Sequence, residues 1–162
     1  MNKTTEKKFL GLIARCKDEF FVKEFCSYYL SQGVDQIHII DDNSSNKSIY
    51  DGINNENVII HYDKDIIQKD SANNLYSKIK NKFAWMIYVD IDEFICTNAE
   101  SNITIKESLE THFKNSDCIK IPWVMMACNG RSKNPDKVLT ENIHRWNHDL
   151  KHPNPIRKFR CR

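Results

Sequence analysis

An apolar run that ends in acids limits this chain more than any other feature. Residues Ala84 to Val89 (Ala-Trp-Met-Ile-Tyr-Val) read as a strand buried on both faces. The chain then passes straight into Asp90, Asp92 and Glu93. Burying an unpaired charge is too costly for packing to explain acids at that place. The expected compensation is a cation. Two carboxylates spaced D-x-D suit a hard divalent metal with positions left open for phosphate oxygens. In that arrangement Asp92 is the direct metal ligand and Asp90 lies near a ribose or a metal-bound water, while Glu93 braces the loop. The chemistry implied is that of a nucleoside diphosphate. The competing reading is an acid cluster that only caps a helix or shapes a loop.

The rest of the chain supplies a frame for that strand end. Phe9 to Ala14 is a short apolar run, expected as a first, central strand. Asp18 is expected to cap a helix running to about Gln32, with Phe21, Phe25, Tyr28 and Tyr29 on its core face and Gly33 as its left-handed stop. Gln36 to Ile40 and Asn57 to Tyr62 read as further strands. Ser71 is expected to cap a second long helix, with Ala72, Leu75, Tyr76, Ile79 and Phe83 on one face. Thr104-Ile-Lys-Glu107 is a capping box that opens a third, and Asp117 to Val124 reads as another strand. Strands joined by crossover helices lie parallel, and ligands then sit outside their carboxyl ends. Three polar strand ends converge there: Arg15-Cys-Lys17, Asp41-Asp-Asn43 and Asp90-Ile-Asp-Glu93.

Length and charge narrow the class. With 162 residues, 40% of them hydrophobic, the chain is expected to form one globular domain. A net charge of +2 argues against a nucleic-acid protein defined by a large positive field. Only Arg157 to Arg162 is locally basic, as a solvated tail or a segment that touches phosphates. Six cysteines without a C-x-x-C pair argue for a reducing compartment and against zinc held by thiolates, so a cytoplasmic protein is expected. No signal peptide or membrane span is read. Heavy use of Asn, Lys and Ile suggests an AT-rich genome, such as a low-GC bacterium or a large DNA virus, in which case the compartment is the host cytoplasm.

Several other residues carry a functional reading beside a plain one. Asp41 or Asp42 accepts from a base edge or ribose hydroxyl, or the pair is only an Asx turn. Arg15 and Lys17 offset a diphosphate, or they are surface charges. Trp123 stacks on a sugar ring, or it packs in the core. His144, His148 and His152 fall at i, i+4 and i+8 in a segment, Glu141 to His152, with helical pattern. They are a polar exposed run, or two of them ligate one zinc ion, or one of them completes the metal shell begun by Asp92. From Asn129 to Asp136 the composition is that of a loop, and Pro153 and Pro155 stop regular structure.

These motifs resemble the glycosyltransferases of the GT-A fold, in particular the family-2-like and family-92-like group. The resemblance rests on Ile13-Ala-Arg-Cys-Lys-Asp-Glu-Phe-Phe21, Tyr28-Tyr-Leu-Ser-Gln-Gly-Val34, Ile37-His-Ile-Ile-Asp-Asp-Asn-Ser-Ser45 and the stretch Met86 to Ile95, with Ile121-Pro-Trp-Val124 similar to the strand that faces the acceptor. It covers roughly residues 8 to 130. It implies an α/β fold, a three-layer α/β/α sandwich about a mostly parallel sheet, with residues 8–124 as nucleotide-sugar-binding core and 125–162 as an irregular, truncated acceptor part. It implies a nucleotide-sugar donor, UDP-linked, a Mn²⁺ or Mg²⁺ ion, and inverting transfer to a hydroxyl on a glycan, protein or lipid. Carried onto matching positions, Ala14 and Arg15 contact base and ribose, Asp42 the uracil edge, Asp90 the ribose, and Asp92 the metal and diphosphate. The family's base lies downstream, where Glu141 and Asp149 are the candidates. Two alternatives stand beside this: a nucleotide-sugar-binding module that acts only with a partner, and a nucleotidyltransferase, which lacks here the glycine- and arginine-rich phosphate loop. A homo-oligomer or a partner domain is the expected cover for apolar surface left by an incomplete C-terminal half.

Overall fold

Strand β1 (Lys8–Cys16) alternates strictly, so Leu10, Leu12, Ala14 and Cys16 enter one hydrophobic core and Ile13 enters another. The computed structural model describes residues 7–62, 68–97, 102–124, 126, 130–141 and 157–161, with 68–69 and 157–161 described by backbone alone. Strand β2 (Gln36–Asp41) pairs parallel with β1, and β3 (Val58–Tyr62) parallel with β2. Strand β4 (Phe83–Asp90) pairs parallel with the other side of β1. The sheet therefore has the order β3-β2-β1-β4, a mixed α/β architecture with β1 inside it, as the sequence leads one to expect.

Parallel neighbours need crossovers. Helix α1 (Val22–Ser31) joins β1 to β2, and α2 (Gln68–Ile79) joins β3 to β4; a 3-10 turn, Lys47–Tyr50, lies between β2 and β3. Val22, Phe25, Cys26 and Tyr29 of α1 are buried in the first core with Ile37, Ile39, Trp85 and Ile87. Helix α3 (Ile105–Thr111) adds Ile105 and Leu109, and its Thr104–Glu107 capping box is formed. Leu75 and Ile79 of α2 pack on the second core with Ile13, Ile40, Phe83 and Met86. Gly33 ends α1 at φ +84°, as its lack of a Cβ allows.

Four expectations need correction. Asp18 does not cap α1, which starts at Val22 behind Phe21 without a side-chain cap. It sits at φ +59° and its carboxylate accepts from Ser45 N (2.7 Å), Ser45 Oγ and Asn46 N instead. Ser71 lies inside α2, three residues past its start, and is buried. Strand β5 (Cys118–Pro122) is not in the main sheet: it pairs antiparallel with β6 (Arg157–Cys161). The basic C-terminal stretch is therefore a strand rather than a tail without regular structure, and β6 passes close to β4. Cys16 and Cys26 are buried, their thiols pushed up to about 12 by burial, but Cys96 and Cys118 are exposed. Helix α4 (Val138–Glu141) covers the first residue of the helix expected to run from Glu141 to His152; the others lie outside the described residues.

Two features of the sheet have measurable weight. A Cβ on Gly11 would lie 2.7 Å from both Met86 Sδ and Phe83 Cγ, closer than real contacts allow. Gly11→Ala must displace a buried ring in the second core and is expected to cost about 1–3 kcal/mol, read as a lower urea midpoint at unchanged m. On β2, His38 is 3% exposed and its Nδ1 lies 2.9 Å from His61 Nε2 on β3, the two rings stacked at 5.2 Å. His38 Nε2 is buried with no hydrogen-bond partner among the described residues.

Candidate functional site

The strand order fixes where a ligand crevice belongs. The chain lays down β1, β2 and β3 in one direction and then returns to the far side of β1 for β4. The carboxyl ends of β1 and β4 flank that reversal, the place where open α/β sheets bind ligands. Arg15 and Asp90 are register partners across it. Arg15 Nε is 3.9 Å from Asp42 Oδ2, an ion pair too long for a hydrogen bond, and Asp42 N donates to Cys16 O at 2.8 Å. Arg15, Asp42 and Asp90, all half-buried, thus share one rim.

The neighbouring Asp41 has a different task. It is 1% exposed, and its carboxylate accepts from Tyr50 Oη at 2.7 Å, from Ser44 N and from Lys47 Nζ. Burial pushes this carboxyl up, but those hydrogen bonds outweigh it and hold it below its ordinary value. Asp41 therefore pins the 41–50 loop, and of the two adjacent acids it is Asp42 that lies at the rim. Asp18 ties the same loop to the end of β1: its carboxylate bonds to Asn46 N, and to Ser45, keep it below the usual carboxylate range, and its own N–H donates to Ser44 Oγ at 3.0 Å.

The acidic turn is braced from inside. Glu93 Oε2 accepts from Asp90 N at 2.9 Å, and Glu93 N donates to Asp90 O at 3.0 Å. Tyr29 Oη donates to Glu93 O at 2.8 Å and accepts from Ile95 N at 3.0 Å; Tyr28 Oη donates to Ile95 O at 2.7 Å. Helix α1 thus holds the turn through two hydroxyls. Packing alone needs rings but no hydroxyls, so two tyrosines in an aromatic stripe are a sequence signal for such partners. Tyr29→Phe removes both bonds of a buried hydroxyl. It is expected to cost about 1–2 kcal/mol of stability and to raise hydrogen exchange at Ile95 N.

Asp92 is exposed, and its carboxylate makes no hydrogen bond or ion pair among the described residues. It lies on the wall of a cavity of about 1000 Å³, together with Trp123. The donor set fits a hard divalent cation: Asp90 and Asp92 offer oxygen only. Among the described residues no group of three or more His, Cys, Asp or Glu is disposed to hold an ion by itself. An ion held by these two carboxylates would have to draw its other ligands from elsewhere, as Mg²⁺ does from water and phosphate.

The remaining predicted residues are not brought to the rim in the same way. Ala14 is fully buried in the first core. Lys17 is exposed in the loop after β1, its backbone N–H bonded to Glu19. Glu141 has both carboxylate oxygens engaged, one by Lys137 N at 3.0 Å and the other by Arg131 Nη1 at 3.1 Å. Asp149 and the three histidines at 144, 148 and 152 lie outside the described residues. Glu24 was not singled out by its sequence. It accepts from Val138 N (2.8 Å) and Leu139 N (3.1 Å), fastening α4 to α1 across 114 residues of sequence. Comparison of the chain with models of known families, with curated proteins and with solved structures finds no significant match.

Proposed function

We propose that this chain is a metal-dependent glycosyltransferase of the GT-A kind, transferring a sugar from a UDP-sugar to a hydroxyl with inversion at the anomeric carbon. In this reading the parallel sheet and its helices are the three-layer, Rossmann-like donor half. One observation supports it above the others: the strand order reverses between β1 and β4 where Arg15, Asp42 and the Asp90-Ile-Asp92 turn lie.

The residues divide the work. Asp42 accepts from the imide N–H of the base, and Arg15, held beside it, bonds the ribose side. Asp90 takes the ribose or a metal-bound water, and Asp92 faces the diphosphate from the cavity wall. A bound Mn²⁺ or Mg²⁺ supplies charge neutralisation on the departing diphosphate. The acceptor oxygen bonds to the anomeric carbon as that carbon's bond to the diphosphate oxygen breaks, and the hydroxyl proton passes to a carboxylate base.

A second reading has its own support. Of the two base candidates the described residues include only Glu141, and its engagement by Lys137 N and Arg131 favours a module that binds the donor and needs a partner for transfer. Calorimetric titration of UDP and UDP-sugars with and without Mn²⁺, followed by an assay for donor hydrolysis, separates them. Metal-dependent binding with turnover supports the enzyme, and metal-dependent binding without turnover supports the module. Binding indifferent to Mn²⁺ removes both.

A further inference from the structure

We infer that the cavity beside Asp92 receives an acceptor whose hydroxyl is carried on an aliphatic body, and not a polyhydroxylated sugar. That it is an acceptor rests on the transferase reading; the chemistry of the ligand rests on the cavity alone. At about 1000 Å³ the cavity is at the upper end of the ~300–1,000 Å³ typical of small-molecule sites. Phe20 and Phe21 ahead of α1, Tyr88 on β4, Trp123 and Met126 after β5, and Leu139 on α4 form its wall. Phe20, Tyr88 and Met126 are 45%, 41% and 47% exposed. Single apolar side chains in solvent need no explanation, but large ones gathered in one concavity mark a binding surface.

Among the described residues the polar side of the wall is sparse. Glu93 lines it, but its carboxylate is bonded to Asp90 N. Among the described residues the other polar side chains on the wall are Asp92, Asn134, Cys96, Tyr88 and Trp123, the last two polar only at one hydroxyl and one indole N–H. A sugar carries a hydroxyl on nearly every carbon, more than these described groups can bond, and each one buried without a partner is costly. An alkyl alcohol has one hydroxyl to satisfy and a chain that gains from every apolar contact. Its hydroxyl belongs at the Asp92 end, next to the donor rim, and its chain belongs toward Met126 and Leu139. The bonds from Glu24 to Val138 N and Leu139 N keep that far wall in place.

The test is a series of straight-chain alcohols, hexan-1-ol, octan-1-ol and decan-1-ol, against maltose, on the whole chain. Binding is followed by calorimetry and by tryptophan emission; of the three tryptophans Trp123 is on the wall, Trp85 is buried in the core and Trp146 lies outside the described residues. Saturable alcohol binding is expected, tightening roughly two- to fourfold per methylene as buried CH₂ groups do, with no response to maltose. Leu139→Asp and Met126→Glu should each weaken octan-1-ol at least tenfold, and Trp123→Phe should remove the emission change. Circular dichroism confirms that each variant folds, and the two wall variants check one another. Saturable maltose binding without alcohol binding overturns the inference, as does octan-1-ol affinity unchanged in both wall variants. UDP with Mn²⁺ is titrated into the same samples. Alcohol binding without UDP binding keeps the apolar site and removes the transferase reading; UDP binding without alcohol binding does the reverse.

Discussion

Asp92→Ala is expected to abolish the Mn²⁺ dependence of UDP binding while leaving the stability of the fold within about 0.5 kcal/mol of the parent. The two halves of that expectation come from one observation. The Asp92 carboxylate is exposed and makes no bond among the described residues, so its removal takes nothing from the fold. In the proposed site it is the carboxylate that binds the ion directly. Losing a partner that merely orients a metal ligand costs ~10–100-fold in affinity, and losing the ligand itself should exceed that. Asp92→Asn separates charge from shape, since it keeps one oxygen and gives up the charge; it should fall between the two. Calorimetry with and without Mn²⁺ reads the effect. Equal metal dependence in the parent and in Asp92→Ala would show that the ion, if any, is held elsewhere.

The second large expectation concerns acid. The protein should lose stability as pH falls from 6.5 toward 4, by about 3 kcal/mol at the lower end, through His38. Burial, with the charges of His61, Lys82 and Lys8 adding to it, lowers the His38 imidazole to about 4. Burial and the nearby Lys78 lower His61 too. In the unfolded chain both titrate near 6.5. Below that pH the unfolded state binds more protons than the folded one, so protonation favours unfolding. Above it the two states bind alike and the full stability is present. Lys8 and Lys82 flank the pair and Phe83 meets the His38 ring edge-on, so no carboxylate among these neighbours offsets a charge on the ring. Urea midpoints at pH 7, 6, 5 and 4.5 measure the slope. His38→Phe keeps a ring of similar shape without the titrating nitrogens and should flatten the curve between pH 6.5 and 5, before most carboxylates titrate. A parent curve already flat in that window would refute the assignment.

Much of this fold is legible because burial leaves a period in the sequence. The runs that became β1 and β2 are apolar on both faces, which only a covered parallel sheet rewards, and the helix between β1 and β2 shows its stripe from Phe21 to Tyr29; the run of β4 reads as buried on both faces too, but its Tyr88 is exposed. The acidic turn after β4 is legible because charge next to buried strand is costly. Asp18 was misread because a short acid that favours helix caps also favours a left-handed turn, and only the tertiary partners Ser45 and Asn46 decide between them. β5 carried a signal that it stands apart: Cys118, Lys120 and Pro122 are exposed while Ile119 and Ile121 are half-buried, an alternation proper to a one-sided antiparallel strand. Its partner, some forty residues away, has no local mark. Neither has the cavity, whose wall is assembled from side chains between positions 20 and 139.

The position of β1 has a consequence for biosynthesis. β1, β2 and β3 leave the ribosome first and can pair in that order, yet one edge of β1 stays open until Phe83–Asp90 has been made. A bare, apolar, central strand edge is an invitation to pair with another chain, and closing it requires a contact between residues as distant as Arg15 and Asp90. The last step of sheet assembly is therefore also the one that brings the acids of β4 beside β1. A nascent or truncated chain that ends before it should be both inert and prone to clump, so that gain of ligand binding and escape from aggregation arrive together.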